Sequence, residues 1–276
     1  MPLRLAVAMP LAAALCVLAM LGGLLLVISG GESTTRQPAA VATPDEDDTP
    51  RLRADSTVCQ SILTRPGPDD PQVFADIYTQ QREVNGITIV ASRRVSGEAL
   101  DIAEETIERA FENNDLIDAL VAQHAYVIVA DRSQGVLDLP EFGCLEERLG
   151  ADFFTHVCGV ADRADYPVAT VNELDLTGDR SGPCGGLNIL YHELGHLVQG
   201  WTLDPQDYYD VRLLYQDAKD AGRYANAYAS TNPNEYFAEG TQAYFLSQER
   251  GGGRDREWLR EYDPELFALL DRIYGG

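Results

Sequence analysis

Basic residues are scarce in this chain of 276 residues. Lys and Arg together number 21 against 44 Asp and Glu, so the formal net charge is -23 at pH 7. A surface this acidic repels phosphate backbones and anionic lipid head groups, and we therefore expect no nucleic-acid partner. Hydrophobic residues make up 45% of the chain, which is ordinary for a globular protein and excludes a disordered or fibrous one.

Cysteine is also sparse, and none of the five cysteines forms a C-x-x-C pair, which disfavours a thiolate metal site. Cys16 lies inside an uncharged run, so four cysteines remain for the rest of the chain: Cys59, Cys144, Cys158 and Cys184. An even number in an exported domain predicts two disulfides, although sequence alone does not choose among the three connectivities. We expect the local pair Cys144–Cys158 together with Cys59–Cys184.

Charge is absent from residues 5–28. As a helix they would be roughly 36 Å long, enough to cross a hydrocarbon core of about 30 Å. The run exceeds the apolar core of a usual signal peptide, and the nearest small-x-small triplet, at 40–42, lies far beyond it. We expect a single-span anchor at 5–28, with residues 1–4 cytoplasmic and the bulk of the chain outside the cell membrane. A cleaved signal, giving a secreted protein, is the alternative.

Residues 29–56 lack apolar periodicity and are rich in Pro, Thr, Ala and acid, which predicts a disordered linker. The rest of the chain, 57–276, is long enough for one domain.

Apolar or alternating runs predict strands at 86–92, 125–130 and 166–171, the last at a sheet edge because it contains Pro167. Helical spacing predicts a helix over 97–122, broken near Asn113 and Asn114. Further helices are predicted at 186–200, 207–221, 233–249 and 264–274. Strands and one helix followed by helices indicate an α+β fold.

A H-E-x-x-H motif, His192-Glu-Leu-Gly-His196, lies within a predicted helix. Four residues of helix place both imidazoles on the same face, so that two His nitrogens can reach one Zn²⁺. The Glu193 carboxylate between them can then meet a metal-activated water. The alternative is that both His merely cap or fill a helix.

Histidine is too rare to supply an obvious third ligand. The extended metzincin motif would need a third His where Thr202 stands, and no Met follows for a Met-turn, so that family is excluded. His124, His156 or a carboxylate on a later helix remain candidates. Neither of these His has a partner at ligand spacing, and we expect both to be structural.

The segment Asn232-Pro-Asn-Glu-Tyr-Phe-Ala-Glu239 offers a better third ligand. Asn232 as N-cap and Pro233 at the first helical position start a helix, and Glu235 and Glu239 then share one face. Acids on a largely buried helix need a partner, which a metal would supply. Glu235 as ligand and Glu239 as acceptor from a ligand His would satisfy both. Alternatively, Glu235 completes a capping box with Asn232.

Together, His192-Glu-Leu-Gly-His196 and Tyr228-x6-Glu235-x-Phe-Ala-Glu239 resemble the catalytic domain of anthrax toxin lethal factor and its bacterial relatives. The resemblance covers mainly residues 186–249. It implies a zincin-like, gluzincin-type zinc endopeptidase in which His192, His196 and Glu235 bind one Zn²⁺ and Glu193 is the general base. Tyr228 matches the family's active-site tyrosine, which assists at the oxyanion, and Tyr224 is a rival for that role. Nothing here matches the toxin's substrate-recognition domains.

These patterns predict a membrane-anchored, extracytoplasmic zinc metallopeptidase that hydrolyses peptide bonds through a zinc-activated water. Its partners would be a protein or peptide substrate and the membrane that holds its N-terminal helix. Two alternatives remain, namely a zinc-containing pseudo-peptidase that acts as a cell-surface binding module, and a structural protein. The sequence names no substrate, cleavage specificity or oligomeric state.

Overall fold

The computed structural model describes residues 72–143, 145–146, 150, 154, 157–161, 166–246 and 253–275. The predicted anchor at 5–28 and linker at 29–56 lie outside these residues. Among the helices that are described, none is long and apolar enough to cross a membrane.

Five strands form one mixed sheet in the order β1-β2-β3-β5-β4. They are β1 (Gln80–Val84), β2 (Ile87–Ala91), β3 (Tyr126–Ala130), β4 (Gly159–Val160) and β5 (Val168–Asn172). The central strands β2, β3 and β5 run parallel, whereas β1 and β4 are antiparallel to their neighbours. Asn85 and Gly86 join β1 to β2 with positive φ angles of 48° and 85°, the backbone that an Asn-Gly hairpin turn requires.

Nine helices are described around this sheet. They are α1 (Gly97–Phe111), α2 (Leu116–Ala122), α3 (Pro140–Gly143), α4 (Glu173–Leu176), α5 (Leu190–Trp201), α6 (Pro205–Asp220), α7 (Pro233–Phe245), α8 (Arg256–Tyr262) and α9 (Pro264–Tyr274). Short 3₁₀ turns occur at Val136–Asp138 and Tyr228–Ser230. The α+β class predicted from the sequence is confirmed.

Hydrophobic residues cover both faces of the sheet. One face joins helices α1, α2 and α5 and the C-terminal helices in the larger core, with Ile89, Val127 and Val171 among its buried strand residues. The opposite face holds a smaller cluster around Tyr126 and Phe142. Burial on both faces explains the nearly continuous apolar runs of β2, β3 and β5.

The predicted break in the helix at 97–122 is confirmed, since α1 ends at Phe111 and α2 begins at Leu116. Asn114 makes this break possible. Its side-chain nitrogen donates to the Ala110 carbonyl at 3.0 Å, and its side-chain oxygen accepts from the Leu116 amide at 3.2 Å. One side chain thus satisfies backbone groups at the end of one helix and the start of the next.

The expectation that the 166–171 strand lies at a sheet edge is wrong. β5 lies inside the sheet, hydrogen-bonded to β3 on one side and to β4 on the other. Pro167 does not interfere because the strand begins one residue later, at Val168, and the Pro167 carbonyl accepts from the Tyr126 amide at 3.2 Å. A proline before the first strand residue removes no donor from the ladder.

The predicted disulfide pairing is also wrong. The structure joins Cys158 to Cys184, with a Cα–Cα distance of 5.5 Å. These cysteines are 26 residues apart, and they meet because Cys158 immediately precedes β4 while Cys184 lies in the loop that leads into α5. Both expected pairs, Cys144–Cys158 and Cys59–Cys184, are therefore excluded in this structure.

Candidate metal centre

Helices α5 and α7 cross at the position of Gly195, within the H-E-x-x-H motif. A Cβ atom on Gly195 would lie 3.0 Å from the Cα of Ala238 and 3.1 Å from the Thr241 side chain. Such distances are tighter than ordinary carbon contacts. The glycine therefore allows α7 to approach the ligand-bearing face of α5, and a larger residue would push the helices apart.

This close approach brings three potential metal ligands together. The Nε2 atoms of His192 and His196 are 3.1 Å apart, and Oε2 of Glu235 lies 3.1 Å from the first and 3.4 Å from the second. Ligands bound tetrahedrally at zinc distances of 2.0–2.1 Å would be about 3.3 Å from one another. The three atoms are thus spaced like one face of a zinc tetrahedron.

The donor set also has unused capacity for a cation. Glu235 Oε2 is buried and makes no hydrogen bond of ordinary geometry with any described group, although both imidazoles are close. A buried carboxylate oxygen without a hydrogen bond carries a substantial desolvation cost. Two imidazoles and one carboxylate form a donor set that binds zinc in catalytic sites, so the residues fit a single Zn²⁺.

The electrostatics of the three side chains are tightly coupled. Burial lowers the pKa of His192, but its contacts with Glu235 and Glu239 outweigh burial and raise the pKa to about 10. Burial acts in the opposite direction on Glu235, yet its contacts with the two imidazoles hold its pKa well below the usual range. Without a metal, the protein thus favours an ionised Glu235 beside a protonated His192. Binding of a metal cation would have to displace the imidazole proton, because only a neutral imidazole is a ligand.

Glu239 lies one helical turn after Glu235 and contacts the other side of the His192 ring. Its Oε1 is 3.4 Å from Nδ1 of His192, and its Oε2 is 3.9 Å from the Arg254 guanidinium. A carboxylate at Nδ1 orients the ring so that Nε2 points toward the Glu235 oxygen. The predicted role of Glu239 as an acceptor from a ligand His is compatible with this contact and stays a prediction.

Of the two rival tyrosines, Tyr228 lies at the ligand group. Its hydroxyl donates to Oε1 of Glu235 at 2.9 Å, and its ring stacks on the His192 ring with centroids 6.1 Å apart. Tyr224 is buried in an aromatic cluster with Tyr236, Trp258 and Tyr262 instead. Tyr228 is 37% exposed, so its hydroxyl is the one open to a ligand.

The carboxylate of Glu193 is buried next to the short strand β4. A Cβ atom on Gly159 would lie 2.8 Å from Oε1 of Glu193 and 2.7 Å from Cδ1 of Ile189. The backbone of β4 therefore passes directly against this carboxylate because residue 159 has no side chain. Gly159 stands out in no local sequence pattern, because the residues that it contacts are distant in the sequence.

The remaining sequence candidates lie elsewhere. His124 has a positive φ of 56° at the end of α2, and among the described residues it does not join the possible metal group, which consists of His192, His196 and Glu235. His156 is outside the described residues. The alternative capping box is not formed through Glu235, because its carboxylate faces the imidazoles while the Asn232 oxygen accepts the amides of Asn234 and Glu235 at 2.9 and 3.0 Å.

A residue that the sequence analysis missed, Gln242, links the two ligand helices. Its side-chain oxygen accepts from the His192 amide at 2.9 Å, and its side-chain nitrogen donates to the Asn188 carbonyl at 2.6 Å. His192 is in the first turn of α5, where amides lack partners within the helix. Gln242 lies seven residues after Glu235, on the same face of α7, and this spacing was the available signal.

Replacing Gln242 with Ala is expected to weaken zinc binding about 10–100-fold, the usual loss when a group that orients a ligand is removed. The buried His192 amide would lose its partner, which costs about 1–3 kcal/mol of stability. Zinc titration against a competing chelator measures the affinity. The control is Gln199→Ala, which removes a buried glutamine of α5 whose side-chain nitrogen has no hydrogen-bond partner among the described residues. Equal zinc affinities in the two variants would contradict the role of Gln242.

The fold of the chain is similar to that of a solved structure. The chain is similar to the structure of the Pro-Pro endopeptidase PPEP-2 from Paenibacillus alvei, with a TM-score of 0.50 and 20% sequence identity. The similarity covers 67% of this chain and 97% of that one. No protein-family model matches the chain, and no curated protein sequence is significantly similar to it. The chain therefore shares the fold of an endopeptidase and carries within it a buried His-His-Glu group that can hold a metal ion.

Proposed function

We propose that this protein is a zinc-dependent endopeptidase of the lethal factor-like, gluzincin type. The observation that carries the proposal is the group of three buried ligand atoms of His192, His196 and Glu235, which are 3.1–3.4 Å from one another. Glu193 and Tyr228 adjoin this group, and the similarity of fold to an endopeptidase supports the same activity.

The bound zinc would act as a Lewis acid that polarises the scissile carbonyl and makes water more acidic. Glu193 would accept a proton from the attacking water as the new C–O bond forms, and would deliver a proton to the leaving amine nitrogen as the C–N bond breaks. A carboxylate suits both steps because it is first a base and then an acid. Its burial beside β4 shields it from bulk water.

Tyr228 would stabilise the negative charge that develops on the carbonyl oxygen. In the described structure its hydroxyl donates to Glu235, and a small rotation of a half-exposed side chain would redirect this donor toward a substrate. Hydrogen-bond donors directed at a developing oxyanion are among the largest contributions to catalysis.

We propose that the substrate is an extended peptide that lies along β4. This strand is at one end of the sheet order, with β5 as its hydrogen-bonded neighbour, so its other edge can accept a peptide by strand addition. The contact between Gly159 and Glu193 would bring such a peptide close to the general base.

We further propose that the domain functions outside the cell membrane, held by residues 5–28. The uncharged run of residues 5–28 supports an anchor. The disulfide between Cys158 and Cys184 supports an oxidising compartment.

The direct test measures the zinc content and peptide cleavage of the full-length chain, purified in detergent without reductant. One zinc per chain and cleavage within a peptide library are expected. The library should include Pro-Pro bonds, because the structural neighbour is named for them. A chain that binds zinc but cleaves nothing would favour the binding module, and a chain that binds no zinc would favour a structural protein.

Replacing Tyr228 with Phe is expected to lower kcat about 10²–10³-fold while zinc stays bound, because a donor to the oxyanion is lost. Steady-state kinetics with zinc-loaded enzyme provides the measurement. The control is Tyr209→Phe, the same change on an exposed tyrosine of α6. An unchanged kcat in the Tyr228 variant would exclude the phenol from the chemistry.

A further inference from the structure

We propose that the Cys158–Cys184 disulfide positions strand β4 against Glu193, so that peptidase activity requires the oxidised pair while zinc binding does not. This inference rests on the proposed peptidase function and assigns a redox dependence to the same site. Four features of the described structure support it.

The first feature is that β4 is too short to hold its own position. It consists of Gly159 and Val160, which pair with Val171 and Thr170 of β5. Because each strand residue contributes little to a ladder, two residues at a sheet edge form a weak attachment. A covalent link beside the strand therefore has a large influence on where β4 lies.

The second feature is the tight fit between β4 and the proposed general base. A Cβ atom on Gly159 would be only 2.5 Å from the Thr170 carbonyl oxygen and 2.8 Å from Oε1 of Glu193. A displacement of about 1 Å in a group that adjoins the chemistry can lower a rate by about 100-fold. The position of β4 thus bears directly on catalysis.

The third feature is the firm anchoring of Cys184. Its amide donates to both carboxylate oxygens of Asp175 at 3.0 Å, and the Gly186 amide donates to the same carboxylate at 2.9 Å. Asp175 is completely buried in α4. The disulfide therefore transmits a fixed position from Asp175 through Cys184 to Cys158 and the start of β4.

The fourth feature is that the proposed zinc ligands lie on elements other than the disulfide and strand β4. All three proposed ligands come from α5 and α7. The loop that carries Cys184 leads into α5, but its amides at Cys184 and Gly186 are also held by the buried Asp175 carboxylate, so this loop does not depend on the disulfide for its position. Release of Cys158 would therefore move the wall beside Glu193 and leave the His-His-Glu group in place.

Both cysteines are half-buried, and Cys184 is flanked by the exposed residues Pro183 and Gly185, so thiol-disulfide exchange can reach the bond. In this step a dithiol supplies two electrons and two protons. The Sγ–Sγ bond breaks, each Sγ atom of Cys158 and Cys184 gains a proton, and the dithiol is oxidised to its own disulfide. Reoxidation reverses the exchange.

The experiment uses the full-length chain with Cys59 and Cys144 replaced by Ser. Peptide cleavage and zinc content are measured in the oxidised state, after reduction and after reoxidation. Reduction is expected to lower kcat/KM about 10–100-fold, mainly through kcat, and to be reversible, with zinc stoichiometry unchanged. Because dithiols also bind zinc, the measurement is repeated without reductant on a Cys158→Ser/Cys184→Ser variant, which should show the same low activity as the reduced chain.

A third variant, Gly159→Ala, displaces β4 without touching the disulfide. It should retain zinc and lose activity, and reduction should lower its activity little further, since both changes act on the same strand. Full activity of the reduced chain and of the double Ser variant, or loss of zinc in parallel with activity, would overturn the proposal. Absence of zinc and of cleavage in the oxidised chain would instead refute the peptidase function itself.

Discussion

Glu193→Gln is expected to leave zinc bound and to lower kcat by about 10²–10⁴-fold, the range that a general acid–base group contributes. The amide has nearly the shape of the carboxylate but does not accept a proton from water. The three proposed zinc ligands are His192, His196 and Glu235, so this substitution leaves all three side chains in place. Metal analysis combined with kcat and KM for one cleaved peptide gives the measurement.

The matched control is Glu98→Gln, the same substitution at an exposed position in the first turn of α1. It should retain full activity and full zinc content. A Glu193 variant with a normal kcat would refute the general-base role, whereas a variant that loses zinc would show that Glu193 contributes to the metal group. In either case the proposed division between ligands and base would have to be revised.

Glu235→Ala is expected to abolish zinc retention at low free-metal concentration. Removing a ligand should cost more than the roughly 10–100-fold lost when an orienting group is removed. The start of α7 should survive, because Asn232 rather than Glu235 caps this helix. Loss of metal should therefore occur in a chain that is still folded, which circular dichroism would establish.

The control for this ligand test is Glu261→Ala, which removes an exposed acid from α8 and should leave one zinc per chain. If Glu235→Ala retained zinc with unchanged affinity, the third ligand would have to come from another residue. Glu239 would then be the first to examine, since its carboxylate already contacts His192.

Local sequence patterns were sufficient to predict the parts of the candidate site that lie within one helix. The four-residue spacing of His192 and His196 predicts a shared face because helical periodicity is a local property. Asn232 followed by Pro233 likewise predicts the start of α7, and the structure begins that helix at Pro233. Apolar runs predicted β2, β3 and β5. Such runs are also local patterns, and they occur here because the residues of these strands are buried on both faces of the sheet.

Features that depend on distant contacts were missed or wrongly predicted. The strands β1 and β4 and the helices α3, α4 and α8 carry too few periodic residues to stand out. Pro167 led to the prediction of an edge strand. Whether this proline lies inside the strand or just before it depends on the register of β5 with β3 and β4. The spacing of Gln242 from Glu235 indicates a shared face of α7, but it does not identify the His192 amide of α5 as the partner of Gln242.

The sequence alone therefore determined the chemistry that is available: two imidazoles on one face of a helix with a carboxylate next to one of them in the chain, and two acids on one face of another helix. Only the tertiary structure decided how these groups meet. The crossing of α5 and α7 at Gly195 set the ligand distances, and the chain path selected Tyr228 over Tyr224. The packing of β4 on β5 paired Cys158 with Cys184. The physical reason is that helix faces follow from short-range backbone geometry, whereas contacts between residues far apart in the chain follow from the packing of the whole core.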